Sequence, residues 1–269
     1  MAPQLVTGLL GGGIPYLAVG DGPPLVMVQG LTPTHEVPTG LQRRLALSGA
    51  RPFSDDFRVF AVNRKQGLQP GESMSDIAGH LAAALEHEFG AQVFLTGTST
   101  GGSVALQLAV DRPDLVRALV LVSSACRLSP RGRQIQQELA RLTRSGDGAG
   151  GWARMMTGLM PAPLRGPAYP AARLMGRLMA AKDPADMLVT LDAEDVFDVS
   201  AQLDRVAAPT LVIGGANDAF YTRELFEQTA AGVQDGRAHI YPDKGHLGAS
   251  GSSTTAYLTL GFLLAARSA

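Results

Sequence analysis

Residues 92–96 (QVFLT) form a short apolar run that passes directly into Gly97-Thr98-Ser99-Thr100-Gly101-Gly102 and then into a helical pattern over 100–110, which stops before Pro113. A strand that becomes a helix with almost no loop between them constrains the fold strongly. The helix must double back along the strand and deliver the chain to a new strand running parallel to the first. Glycines two residues either side of Ser99 let the two elements approach closely, and the sharp turn between them predicts a strained backbone at the serine itself.

The rest of the chain repeats this alternation. Apolar runs at 24–29, 58–62, 118–122, 210–213 and 238–241 are separated by longer helical patterns, the signature of a parallel sheet covered by helices. Residues 5–9 and 15–18 flank Gly11-Gly12-Gly13 and read as an opening antiparallel hairpin. In the stretch 75–89, Ile77, Leu81 and Leu85 recur four residues apart and mark one buried helix face. Further helices are expected over 223–231 and 255–266. Between 126 and 190 the alternation stops, and glycines (146–151) and prolines (161, 163, 167) cut the segment into several helices. The expected organisation is therefore an α/β core made of 1–125 and 191–269, with 126–190 inserted as a helical cap.

Composition narrows the partners. The 269 residues carry a net charge of −1, which argues against nucleic acid, since phosphate binding is driven by a basic surface. Hydrophobic residues at 45% and charged residues at 17% describe a globular chain. The one cysteine, Cys126, permits no intrachain disulfide, so a reducing, cytoplasmic setting is expected. No Lys or Arg precedes Arg43, unlike a secretory leader. The apolar stretch 257–266 is too short to span a bilayer, and no membrane partner is expected.

At the turn after a buried strand, Ser99 presents its hydroxyl at the carboxyl edge of the sheet, where ligands bind in open α/β folds. The plainer alternative is a helix N-cap. A serine hydroxyl needs a neighbouring base to become a nucleophile. Of the five histidines, His80 and His87 lie seven apart on one helix and read as a solvated face, His239 falls inside a strand, and His35 follows the first parallel strand. His246, in Tyr241-Pro242-Asp243-Lys244-Gly245-His246, leaves the last strand toward the same sheet edge as Ser99 and is the expected base. Asp218, just past the run at 210–213, is the expected acid that orients the imidazole. Asp243 is its rival. The chain order Ser99, Asp218, His246 suits a strand–turn–helix nucleophile. Negative charge developing on a substrate carbonyl needs preorganised N–H donors. Thr100, next after the serine, offers one, and Leu31, following Gly30 at the end of the run at 24–29, offers the other.

These residues resemble the α/β-hydrolase family. The resemblance rests on Gly97-Thr98-Ser99-Thr100-Gly101-Gly102, on Pro113-Asp114-Leu115-Val116-Arg117-Ala118-Leu119-Val120-Leu121, on Ala208-Pro209-Thr210-Leu211-Val212-Ile213-Gly214 with Asp218, and on Gly245-His246. It implies an eight-stranded, mostly parallel sheet, a helical cap over the serine, and hydrolysis of an ester, thioester, amide or lactone with no cofactor and no metal. One departure is Gln29-Gly30, where the family often has His-Gly. The glycine, and with it the backbone donor, is kept.

The expected activity is cleavage of a carboxylic ester or related acyl bond in a small molecule with an apolar part. Thioesterase, acyltransferase or cofactor-free perhydrolase chemistry on the same triad is the alternative, ahead of C–C bond hydrolysis or a non-catalytic binding role. Six methionines, Met155, Met156, Met160, Met175, Met179 and Met187, fall in the cap segment. They either line an adaptable apolar pocket or pack the cap onto the core. Arg127, Arg131, Arg133, Arg141 and Arg144 either meet an anionic carrier or form a solvated face.

Overall fold

A computed structural model describes residues 5–268. Its strands are β1 (Val6–Leu10), β2 (Ile14–Val19), β3 (Pro24–Val28), β4 (Arg58–Val62), β5 (Val93–Thr98), β6 (Val116–Val122), β7 (Thr210–Gly215) and β8 (Gly236–Tyr241). They form one eight-stranded sheet in the order β1-β2-β4-β3-β5-β6-β7-β8. The first two strands are the expected hairpin, closed where Leu10 pairs with Ile14. β1–β2 and β2–β4 pair antiparallel, and the remaining five pairings are parallel.

The strands are apolar on both faces because helices cover both. Successive side chains point to opposite sides. Val26, Val28, Leu95, Leu119, Leu121 and Val212 join one core, shared with α2 (Met74–Phe89), α3 (Thr100–Asp111) and α8 (Arg223–Gly232). Leu25, Val59, Phe94, Val120 and Ile213 join a second core, against α1 (Gly40–Ala50) and α10 (Ser253–Ser268). The expected Ile77, Leu81 and Leu85 stripe of α2 is buried. That helix starts on a capping box between Ser73 and Asp76 and ends at Gly90, whose φ of 59° is left-handed.

Between β6 and β7 the chain forms α4 (Pro130–Arg144), α5 (Gly148–Gly158), α6 (Ala162–Met179) and α7 (Ala185–Asp195). Leu139, Ala140, Trp152, Met187 and Leu191 make a small core of their own, and Leu31 from the loop after β3 packs against it. A five-residue α9 (His246–Ser250) follows β8.

Helix α1 has no counterpart in the sequence reading. Its Leu41 and Leu45 are exposed and Ala50 is its fully buried residue. Of its leucines only Leu47 packs on the second core, so hydrophobic period gives no clear signal. Among the described residues no helix is long and apolar enough to cross a membrane.

Candidate active site

Ser99 occupies the turn from β5 to α3 with φ 53° and ψ −128°. This left-handed geometry is uncommon for a residue with a side chain and costs on the order of 1–3 kcal/mol. The surrounding packing enforces it. A Cβ on Gly97 would lie 2.4 Å from Gly101 O, and one on Gly101 would lie 2.3 Å from Val28 O. The Ser99 N–H donates to Val122 O at 3.0 Å, which ties the turn to the end of β6. The other non-glycine residue at positive φ among the described residues is Ser123, at 49°.

The structure brings three of the expected residues together. His246 Nε2 lies 3.0 Å from Ser99 Oγ, and His246 Nδ1 lies 2.8 Å from Asp218 Oδ2. Asp218, rather than Asp243, partners the imidazole. Its second oxygen accepts the Phe220 N–H at 2.8 Å and the Tyr221 N–H at 3.3 Å, so the carboxylate cannot rotate freely. The loops carrying Asp218 and His246 are laced by the backbone bond from Asn217 N–H to Lys244 O. Ser123 Oγ donates to His246 O at 2.9 Å. Phe220 packs tilted on the imidazole at 4.8 Å, and Tyr221 stacks at 6.1 Å with a 19° interplanar angle. Asp218 and His246 are buried, whereas Ser99 is half-buried and reachable.

Gly30 lies against the serine: a Cβ there would sit 3.6 Å from Ser99 Cβ and 3.3 Å from Thr98 O. The loop from β3 thus passes beside Ser99. Neither the Leu31 N–H nor the Thr100 N–H finds a backbone acceptor among the described residues.

Two buried charges lie outside the site residues expected from the sequence. Glu194, at the end of α7, is 0% exposed. It accepts hydrogen bonds from Thr100 Oγ1 (2.7 Å), Ser103 Oγ (2.7 Å), Gln136 Nε2 (2.9 Å) and the Tyr221 hydroxyl (3.3 Å). Burial, then the nearby Glu194 charge, push the Tyr221 phenol well above its ordinary pKa, which keeps it a donor. Arg64, just past β4, is 2% exposed and hydrogen-bonds to the loop after β3. Glu194 continues the buried Met187–Leu191 stripe of α7 at helical spacing, a signal that was there to read. Arg64 stands at a strand's carboxyl end, where side chains reach the site edge.

The remaining candidates are accounted for. His35 is buried, with Nδ1 3.0 Å from Lys65 O and Nε2 accepting from Arg64 Nε. Burial, reinforced by the Arg64 charge, lowers its pKa to about 3. Arg127, Arg133, Arg141 and Arg144 each lie within ion-pair distance of an acid of this chain, Asp198, Asp195, Glu138 and Asp192 respectively. Arg131 donates to Gly158 O. Met187 is core, Met155, Met156 and Met179 pack half-buried beside it, and Met160 and Met175 face outward. No group of three His, Cys, Asp or Glu side chains converges as a metal site among the described residues.

A mostly parallel sheet with this strand–turn–helix at its centre defines the class as the α/β-hydrolase fold. The chain belongs to that family: the model of the alpha/beta hydrolase family matches residues 25–253. A Klebsiella pneumoniae protein named as a carbamate hydrolase is 33% identical over 162 residues, a match spanning 56% of this chain and 58% of that relative's length. The pimeloyl-[acyl-carrier protein] methyl ester esterase of Nitrosomonas europaea is 25% identical over 247 residues, 84% of this chain and 90% of that one. Among solved structures, the α/β-hydrolase MGS-M2 from a deep-sea metagenome superposes with a TM-score of 0.78 at 18% identity, covering 93% of this chain and 94% of that one.

Proposed function

We propose that this enzyme cleaves a carboxylic ester or a related acyl bond of a small molecule through an acyl-enzyme on Ser99. His246 Nε2 takes the Ser99 proton as Oγ attacks the carbonyl carbon. The carbonyl electrons move onto oxygen, where the Leu31 and Thr100 N–H groups stabilise the negative charge. The tetrahedral species collapses, the bond to the leaving group breaks, and His246 returns the proton to that group. Water then attacks the acyl carbon and gives its proton to His246; the second tetrahedral species collapses, the acyl–Oγ bond breaks, His246 returns the proton to Ser99 Oγ, and the acid departs. Asp218 holds Nδ1 protonated and stabilises the imidazolium formed at each step.

The observation carrying this reading is the continuous hydrogen-bond chain from Ser99 Oγ through His246 to Asp218. Two relatives support the acyl chemistry, one named as an ester esterase and one as a carbamate hydrolase. We propose further that α4–α7 act as a cap over the serine, since Leu31, beside the nucleophile, packs against their core.

The test is rapid-mixing kinetics with p-nitrophenyl acetate. A burst of nitrophenol stoichiometric with enzyme, abolished in Ser99→Ala, is expected. Turnover that survives Ser99→Ala overturns the reading. Adding hydroxylamine, a thiol or hydrogen peroxide as acceptor separates hydrolysis from acyl transfer and perhydrolysis.

A further inference from the structure

Burying a cation costs several kcal/mol unless its hydrogen bonds repay it, so the placement of Arg64 needs a reason. Its guanidinium makes four bonds, none to a carboxylate among the described residues. Nη1 donates to Gln29 O at 3.0 Å, Nη2 to Gly30 O at 3.1 Å and to Thr32 Oγ1 at 3.0 Å, and Nε to His35 Nε2 at 3.1 Å. Every partner lies in the loop that runs beside Ser99. Asn63 closes the same loop, accepting from Thr32 Oγ1 at 3.1 Å and donating to Thr34 O at 3.0 Å.

The Gly30 carbonyl and the Leu31 N–H are opposite ends of one peptide unit. Because that unit is planar, fixing the oxygen fixes the direction of the N–H. A cationic donor on the oxygen also polarises the amide, and hydrogen bonds in such a chain strengthen one another. We propose that Arg64 is a positioning residue for the reaction: it aims and polarises the Gly30–Leu31 peptide so that Leu31 N–H stabilises the oxyanion.

This inference rests on the reading of Ser99 as nucleophile and Leu31 as oxyanion donor. The planar fork of a guanidinium spans two adjacent carbonyls, which a lysine ammonium cannot do in the same geometry. Neutral His35 fixes the fork's third side: Nδ1 donates to Lys65 O, leaving Nε2 as the acceptor that Arg64 Nε requires. The charge has distant counterparts in Glu194 and Asp186, and Asp186 in turn accepts the Gly67 and Leu68 N–H groups.

The experiment compares wild type, Arg64→Gln, Arg64→Lys and Ser99→Ala with p-nitrophenyl acetate, measuring kcat and KM. Inhibition by phenylboronic acid, which forms a tetrahedral adduct on an activated serine, is measured alongside. Arg64→Gln is expected to lower kcat about 10- to 100-fold, a partial loss of one oxyanion donor, while KM moves less than about twofold. Boronate affinity should fall in step with kcat/KM. Arg64→Lys keeps the charge but not the fork and is expected to lose about tenfold. It also serves if the neutral variant fails to fold. A folded variant with wild-type kcat, or with kcat reduced but boronate affinity unchanged, overturns the proposal. If Ser99→Ala matches wild type, the underlying reading falls and this one with it. If Ser99→Ala is inactive and the Arg64 variants are not impaired, this inference alone falls.

Discussion

The Thr100 hydroxyl donates to Glu194 Oε2 at 2.7 Å, fastening the residue next after Ser99 to the last turn of α7. A helix outside the sheet thus grips the first turn of α3 through a buried carboxylate, and that carboxylate also collects Ser103, Gln136 and Tyr221. Glu194→Ala would strand these donors in a dry site, where each unsatisfied group is costly. A stability loss of ~3 kcal/mol or more is expected, read from urea melts. Glu194→Gln, which keeps the shape and one acceptor, should lose less. Equal stability of Glu194→Ala and wild type would contradict the assigned network.

Asp218 tests the orientation of the imidazole. In Asp218→Asn the amide oxygen would satisfy the Phe220 and Tyr221 N–H groups and turn the NH₂ toward His246 Nδ1. The imidazole would then carry its proton on Nε2 and could not accept one from Ser99. A fall in kcat of roughly 10³- to 10⁴-fold with little change in melting temperature is expected. Activity near wild type would remove Asp218 from the mechanism.

Two glycines beside Ser99 should respond unequally. A Cβ on Gly101 would meet backbone on two sides, Val28 O at 2.3 Å and Gln29 O at 2.4 Å, whereas one on Gly30 comes no nearer than 3.3 Å to Thr98 O. Gly101→Ala is therefore expected to cost ~2 kcal/mol or more through overpacking. Gly30→Ala should cost about 1 kcal/mol or less. Denaturant midpoints of the two variants decide the matter, and a reversed order would contradict the close approach of α3 to the β3 loop.

The legible part of this architecture is what is local in sequence. Strand, glycines and helix around Ser99 are contiguous, and Asp218 and His246 each leave a strand's carboxyl end, so topology alone sends them to one edge. Glu194 and Arg64 were harder to read for a different reason. Glu194 keeps helical spacing with Met187 and Leu191, but in Leu191-Asp192-Ala193-Glu194-Asp195 it stands between an exposed acid and a half-buried one, and the spacing does not name the distant donors that satisfy it. Arg64 has an exposed-looking neighbour, Lys65, and its partners lie about 30 residues away, at separations of 29 to 35. The hydrophobic pattern of α1 failed because Leu41 and Leu45 face solvent.

His35 makes stability pH-dependent. Its folded pKa, about 3, lies below the ordinary value of 6.5. The unfolded chain therefore binds a proton that the folded chain refuses, and the stability this gives above the unfolded pKa is lost as pH falls toward the folded one. Between about pH 6 and 4.5, above most carboxylate titrations, His35 should contribute a slope approaching ~1.4 kcal/mol per pH unit. His35→Gln, neutral throughout, should flatten it. Identical slopes in wild type and variant would show that His35 is not held neutral.

The most direct measurement is the intact mass of the protein after incubation with a fluorophosphonate, which captures an activated serine. Wild type should gain one probe adduct, mapped to Ser99, while Ser99→Ala and His246→Ala gain none at the same exposure. An unlabelled but folded wild type, or labelling that persists in Ser99→Ala, would contradict Ser99 as the nucleophile.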